Sequence, residues 1–424
     1  MKQVSVRLVN YSADLYGVCS ALYELGGLIV MHDASGCNST YATHDEPRWY
    51  DIDSMIYISG ITEFDAIMGD DDKLIRDIVT VAEEKHPRFI AVFGSPVATM
   101  IGTDFRGIAH LIQEKTGIPT FAFRTSGMKT YVHGANQAYL RWAQEFLPAP
   151  EKKDRSVHEP VRVNLLGVTP LDFSIVGNVE ALRRFASSDG LDLVSVWSMG
   201  DKPEVLEKAP EADVNLLCSS VAIDLAEWME ETYGIPYVEG LPIGSRAQET
   251  VRALLQCAAE DGKSRILGMG DADSAAEKTG GSDDTAELPE GAARPADVRA
   301  LVIGEPVFAG SLRYALEELV PELSVSLICP TERSAGMLRK NDPMTYREEE
   351  IKEAVDKADL VIADPVYRRL LPEDSGTAFV RFPHEAYSGR MYREEIPVFI
   401  GGSFDDWLLK LKKELIEVTQ HESY

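Results

Sequence analysis

Long apolar runs are missing from this sequence. No stretch approaches the roughly 18 consecutive apolar residues that a bilayer-spanning helix needs. The opening MKQVSVRLVNY lacks the basic start and apolar centre of a signal peptide and reads as a strand. Positive charge is scarce too: 42 Lys and Arg stand against 69 Asp and Glu, a formal net charge of -27. That balance argues against nucleic acid or an anionic membrane as partner. It fits a cytoplasmic protein in solution, or one that docks on a basic protein surface. Cysteines number only five, an odd count, widely spread. They form no disulfide framework and point to a reducing compartment.

What is present is apolar residue enough (45% of 424 residues) for a large core, and length enough for two or three domains. Short apolar runs alternate with amphipathic helical patterns, which indicates βαβ units and parallel sheets. Residues 1–150 hold GGLIVMH, MIYISG, RFIAVFGSP and IPTFAFRT as strands, with helices over about Asp71–Glu84, through IAHLIQEKTG, and over about Gly134–Phe146. The polar LPAPEKKDRSVHEP links this region to a second unit, residues 160–267, with strands VRVNLLGV, LDLVSVWSM and ADVNLLCSS. Residues 268–296 turn abruptly to Gly, Ala, Ser, Asp and Glu and read as a flexible linker. Residues 297–424 form a third unit, with VRALVIGEP, LSVSLICP, LVIADP and FVRFPHEAYSG and a closing helix FDDWLLKLKKELIEV. The fold class expected is α/β, three Rossmann-like domains with parallel sheets.

The stretch Leu15–Tyr41 concentrates the candidate chemistry. Cys19 falls on or near a helical segment before a buried strand, and Cys37 on a glycine-containing loop after it, the end where open α/β sheets carry their sites. Thiolates there suit an iron–sulfur cluster. With His32 and His44 flanking Cys37, zinc is a further option, though no close cysteine pair supports it. Plain packing is the competing reading, and it is the one adopted for Cys257 and Cys329. Two cysteines fill half of a four-thiolate shell, and a twofold dimer would supply the other half. GMGDAD lacks a following helix and is no dinucleotide fingerprint. GEPVFAGS follows a strand and opens a helix, where an anion could sit, but without Gly-Lys-Ser/Thr it is no P-loop. The acidic run DDDK reads as a solvated face or a partner contact.

Taken in order, Cys19, HDASGC, FDAIMGDDDKLIRDI, VFGSPVATMIGTDF, AFRTSGM, MEETYGIPYVEG and GEPVFAGSLRYALEEL resemble the nitrogenase component 1 family across most of the chain. That family includes nitrogenase subunits, their cofactor-assembly scaffold and dark-operative protochlorophyllide reductase. The resemblance implies three Rossmann-like domains and an oxidoreductase subunit fed by a separate ATP-hydrolysing iron protein. It also implies pairing with an identical or paralogous subunit. Cys19 and Cys37 match its first two interfacial cluster cysteines. The third falls near Ser95 or Pro96 and is absent, which favours a subunit-bridging [4Fe-4S] cluster with Ser95 as a weak oxygen ligand. Cys218 and His384 resemble the pair that anchors a second metallocluster in the interdomain cleft, where other members hold a tetrapyrrole. A non-catalytic assembly scaffold and a redox-inactive relative are the alternatives.

Overall fold

The computed structural model describes residues 7–8, 12–34, 36, 38, 45–69, 71–150, 158–269, 298–320, 323–332, 336–372 and 375–421. Cys37, His44, most of MKQVSVRLVNY and nearly all of the expected 268–296 linker lie outside the described residues.

The chain is mixed α/β, and every strand pair in its three sheets is parallel. The first sheet has the order β2-β1-β3-β4, built from β1 (Leu28–His32), β2 (Met55–Ile58), β3 (Ile90–Gly94) and β4 (Thr120–Ala122). Its helices are α1 (Asp14–Leu22), α2 (Glu63–Met68), α3 (Asp71–Lys85), α4 (Pro96–Ile101), α5 (Phe105–Thr116) and α6 (Tyr131–Phe146). The second sheet, β6-β5-β7-β8-β9, comprises β5 (Val161–Leu166), β6 (Leu191–Val196), β7 (Val214–Leu217), β8 (Tyr237–Glu239) and β9 (Arg265–Ile266). With it go α7 (Pro170–Phe173), α8 (Asn178–Ala186), α9 (Pro203–Leu206), α10 (Ile223–Tyr233) and α11 (Gly244–Asp261). The third, β11-β10-β12-β13, uses β10 (Arg299–Ile303), β11 (Ser324–Ile328), β12 (Leu360–Ala363) and β13 (Ala378–Arg381). It carries α12 (Pro306–Leu319), α13 (Glu348–Val355), α14 (Glu385–Ser388) and α15 (Asp405–His421).

Sequence pattern explains the sheets. Strands β1, β3, β7 and β12 are buried at every position, as parallel strands covered by helices on both faces must be. In each sheet the first strand in sequence lies inside, flanked by the second on one side and the third on the other. The chain therefore reverses direction across the sheet between these strands. The crevice beyond their carboxyl ends is where an open α/β sheet collects functional side chains.

One close approach fixes α1 against α6 within the first unit. Helices α1 and α6 cross at Gly17 and Gly134. A Cβ on Gly134 would lie 1.8 Å from the Asp14 carbonyl oxygen, and one on Gly17 would lie 1.9 Å from that of Tyr131. Asp14 ties the same corner, accepting from the backbone N–H groups of Ser126 (2.9 Å) and Gly127 (2.8 Å). Both helices would have to move apart for any side chain to enter. Gly134→Ala is expected to cost at least the upper end of about 1–3 kcal/mol, read as a fall in the denaturant midpoint. An unchanged midpoint would contradict the packing described.

Candidate functional site

The side chains that follow the carboxyl ends of the second and third sheets converge on one buried point. Asp172, on α7 after β5, is its centre. Its Oδ1 accepts from the Tyr131 hydroxyl at 2.5 Å and its Oδ2 from Thr169 Oγ1 at 2.9 Å. Tyr131 is the first residue of α6, so the contact ties the first unit to the second. The third unit supplies His384, which follows β13 and caps α14. Its Nδ1 accepts from the Ala386 N–H at 3.3 Å, which assigns the ring hydrogen of the neutral form to Nε2. Nε2 stands 3.4 Å from Asp172 Oδ1 without forming a hydrogen bond. Asp364, after β12, holds the imidazole's backbone: its Oδ2 accepts from the His384 N–H and from Ser388 Oγ, both at 2.7 Å. The His384 ring stacks on Tyr387 with centroids 4.4 Å apart.

A second carboxyl completes the cluster. Glu305, after β10, accepts through Oε1 from the Ser220 N–H at 2.7 Å and through Oε2 from the Phe308 N–H at 2.8 Å. It thus caps α12 and bridges to the turn after β7. Burial, with the Asp172 charge second, pushes its carboxyl up to about 7. Burial also holds the Tyr131 hydroxyl well above its ordinary range, the charge of Asp172 adding to it. A hydroxyl, a carboxylate and an imidazole together, with a second carboxyl titrating near neutrality under the influence of the first, can store a proton.

Beside His384, Glu385 accepts from Ser174 Oγ at 2.9 Å and from Arg393 Nε at 3.0 Å. Ser174 follows α7 directly and has a φ of +51°, a conformation that costs a non-glycine residue energy. The pair links the segment carrying Asp172 to the segment carrying His384.

The expected ligands land unevenly. Among the described residues no hydrogen bond joins Cys218 to His384; the Glu305 charge acts on the first and Asp172 stands beside the second. Cys218 is fully buried just past β7, its thiol 3.6 Å from the Leu216 carbonyl oxygen. Burial, and then the Glu305 charge, raise it far above an ordinary thiol. Cys19 lies inside α1, not at its end, with no exposed surface, in the same core as Leu22, Tyr139 and Trp142. Burial, then the Glu46 charge, raise its thiol well above the usual value. Among the described residues, no group of three or more His, Cys, Asp or Glu side chains could hold a metal ion.

Ser95 caps α4 at the carboxyl end of β3, buried, its Oγ without a hydrogen-bond partner. His32 is bonded through Nδ1 to Ser59 Oγ at 2.8 Å, and burial pushes its imidazole down to about 4. Cys329 is buried and Cys257 half-buried, as their packing role requires. At GEPVFAGS the expected anion position is taken by the chain's own Glu305 carboxyl. Sequence reasoning does not single out Tyr131, Asp172 or Glu305. The available signal is position: Asp172 and Glu305 each stand in the first turn after a strand that begins its unit.

Fold and site together define a three-sheet α/β protein of the component 1 architecture, its polar centre between the units. The chain belongs to the family of nitrogenase component 1 type oxidoreductases, whose profile matches residues 17–362. It is 25% identical over 190 residues to the nitrogenase iron-molybdenum cofactor biosynthesis protein NifE of Methanosarcina barkeri, covering 43% of this chain and 40% of that protein. It is 28% identical over 189 residues to a light-independent protochlorophyllide reductase chain of Halorhodospira halophila, covering 41% and 34%. It is 30% identical over 198 residues to the nitrogenase molybdenum-iron protein alpha chain of Azospirillum brasilense, covering 44% and 39%. These matches take in well under half the length of the relatives. A solved structure titled "Nitrogenase Cp1 at pH 5" shares the fold with a TM-score of 0.60 over 99% of this chain and 90% of that one, at 16% identity.

Two outcomes follow from the burial. Cys19, Cys218 and Cys329 should resist a thiol reagent in the native protein and react only on unfolding, as peptide mass spectrometry would show; rapid native labelling of Cys19 would overturn its placement. Glu305 holds its proton more tightly folded than unfolded, so the folded chain binds the extra proton between its ordinary value of 4.5 and about 7. Its contribution must therefore fall as pH rises through that window, by on the order of 1 kcal/mol per pH unit. Denaturant titrations of the wild type and Glu305→Gln across pH 5–7 should differ by that slope. Parallel curves would place the titration elsewhere.

Proposed function

We propose that this chain is one subunit of a component 1-type oxidoreductase, paired with an identical or paralogous subunit and supplied with electrons by an ATP-hydrolysing iron protein. In this reading the junction of the three units is the reducing site, and its own residues manage protons. The observation that supports it is the buried meeting of Tyr131, Asp172 and His384, one from each α/β unit, with the Asp172 charge acting on Glu305. Reduction of an unsaturated or metal-bound substrate consumes protons as well as electrons. A carboxyl near neutral pKa beside a hydrogen-bonded Tyr–Asp pair and a histidine is suited to provide them.

Cys19 and Cys37, the latter outside the described residues, are in this scheme the chain's ligands to a subunit-bridging cluster, with the remaining ligands coming from the partner. Such a centre would relay electrons. The closed thiol of Cys218 and the hydrogen-bonded Nδ1 of His384 leave the cleft set for acid–base work in the arrangement described.

The cofactor-assembly scaffold is a second reading, favoured by the similarity to NifE of Methanosarcina barkeri and of Clostridium pasteurianum. One experiment separates the two. The anaerobically purified complex, with its iron protein, ATP and dithionite, is assayed for hydrogen evolution, for which protons are the substrate. The oxidoreductase reading expects sustained turnover, with Asp172→Asn slower by on the order of 100-fold or more while the metal content is kept. A complex that loads metal and surrenders it to an acceptor protein without turnover would establish the scaffold instead.

A further inference from the structure

A separate cavity lies on the seam between the second and third units, away from the junction. Its volume is about 390 Å3, within the roughly 300–1,000 Å3 of small-molecule sites, which favour such seams. The second unit supplies Arg246 on α11 and Met269 after β9. The third supplies Arg313 and Tyr314 on α12, then Met337 and Arg339 after β11.

The walls are preformed. Glu239, at the end of β8, accepts from the N–H groups of Gly336 (2.9 Å) and Met337 (3.1 Å), and Arg313 donates to the Met337 carbonyl oxygen. Gly310 lets that segment lie close on α12, since a Cβ there would stand 2.7 Å from the Met337 Cβ. Gly268, with a φ of +74°, leaves the Tyr314 ring edge clear where a Cβ would come within 3.0 Å of it. The Tyr314 hydroxyl is in turn tied to Thr250 Oγ1 at 3.1 Å. A cavity held this way loses little entropy when it is filled.

Three guanidinium groups meet here, in a chain of net charge -27. Two are neutralised by acids of their own unit: Arg313 pairs with Asp342 and Arg339 with Glu317, both at 2.6 Å. Arg246 differs. Among the described residues it forms no ion pair, and its guanidinium makes one hydrogen bond, from Nη1 to the Glu318 carbonyl oxygen at 2.9 Å. Its Nε and Nη2 are left for an outside acceptor, and two adjacent N–H groups of a guanidinium match the two oxygens of a carboxylate. The rest of the lining offers a tyrosine ring and two thioethers, which favour a flat aromatic body over a sugar or polyol.

We infer that this cleft binds a small aromatic carboxylate, its acid group on Arg246 and its ring among Tyr314, Met269 and Met337. The site is independent of the chemistry proposed for the junction.

The test uses the full chain with methyl-labelled methionine and three probes: naphthoate, its neutral amide naphthamide, and citrate, which has the charge without the ring. Naphthoate should shift the Met269 and Met337 methyl signals saturably, with one molecule bound per chain by calorimetry. Naphthamide and citrate should each bind at least tenfold more weakly, and Arg246→Gln should weaken naphthoate at least tenfold. Arg246 is exposed, and circular dichroism checks that the variant is folded. Unchanged naphthoate affinity in Arg246→Gln would overturn the proposal, as would naphthamide or citrate binding as tightly as naphthoate. So would the absence of saturable binding, or shifts confined to other methionines.

Discussion

A single carboxylate, Asp172, joins the three units of this protein. It takes a hydroxyl hydrogen from Tyr131 at the head of α6, another from Thr169 on its own turn, and faces the Nε2 of His384 from the third unit. A buried carboxylate is tolerated only when its lone pairs are occupied, because unpaired burial costs several kcal/mol. The geometry of the junction is therefore imposed from both directions. The units must close on Asp172 to satisfy it, and Asp172 is what gives them a common polar point to close on. The Gly17–Gly134 crossing brings α6 to the place where Tyr131 can reach, and Asp364 brings His384. Neither works without the other.

A second buried network shows the same logic with the opposite sign of charge at its centre. Arg48 pairs with Glu46 at 2.7 Å and with Glu24 at 3.0 Å, donates to the carbonyl oxygens of Ser20 and Ser198, and lies over the Tyr23 ring. Ser198 belongs to the second unit, so this guanidinium sews the end of α1 to the turn after β6. Buried ion pairs contribute little net stability compared with apolar packing, yet breaking one partner strands the other. Their value here is in fixing which surfaces meet. Arg393 does likewise for Glu385, and Arg313, paired with Asp342 at 2.6 Å, does so within the third unit. Of these arginines, Arg48 is the one that stands at a seam between units.

Much of this architecture is legible in the sequence. Continuous apolar runs such as LIVMH and LVIA can only be strands covered on both faces, and their alternation with amphipathic helices dictates parallel sheets. The expected helix over Gly134–Phe146 begins three residues earlier, at Tyr131, because Thr130, held by Glu332 from the third unit, takes the cap position. Side-chain direction is not legible. The sequence pattern puts Cys19 near a sheet end, but a helix carries each residue to a face set by 100° steps, and the face Cys19 occupies is the one against the core. The carboxylates escape for a related reason. Asp172 and Glu305 are separated by well over a hundred residues, and nothing local marks two acids as neighbours. Only the fold, which sets both after the first strand of a sheet, brings the Asp172 charge to bear on Glu305.

Glu305 also holds two units together while burial raises its carboxyl. Its two oxygens serve two different helical starts, one in its own unit and one after β7, so it can satisfy both only while the units are closed. Opening the junction to admit a substrate would expose Glu305 to water and free at least one of those N–H groups. Its pKa would then drop toward that of an ordinary carboxyl, and the proton it held would be released as the site opened. Closure would draw a proton back in. The same carboxyl that seals the units would thus tie the arrival of a proton to the exclusion of water from the junction.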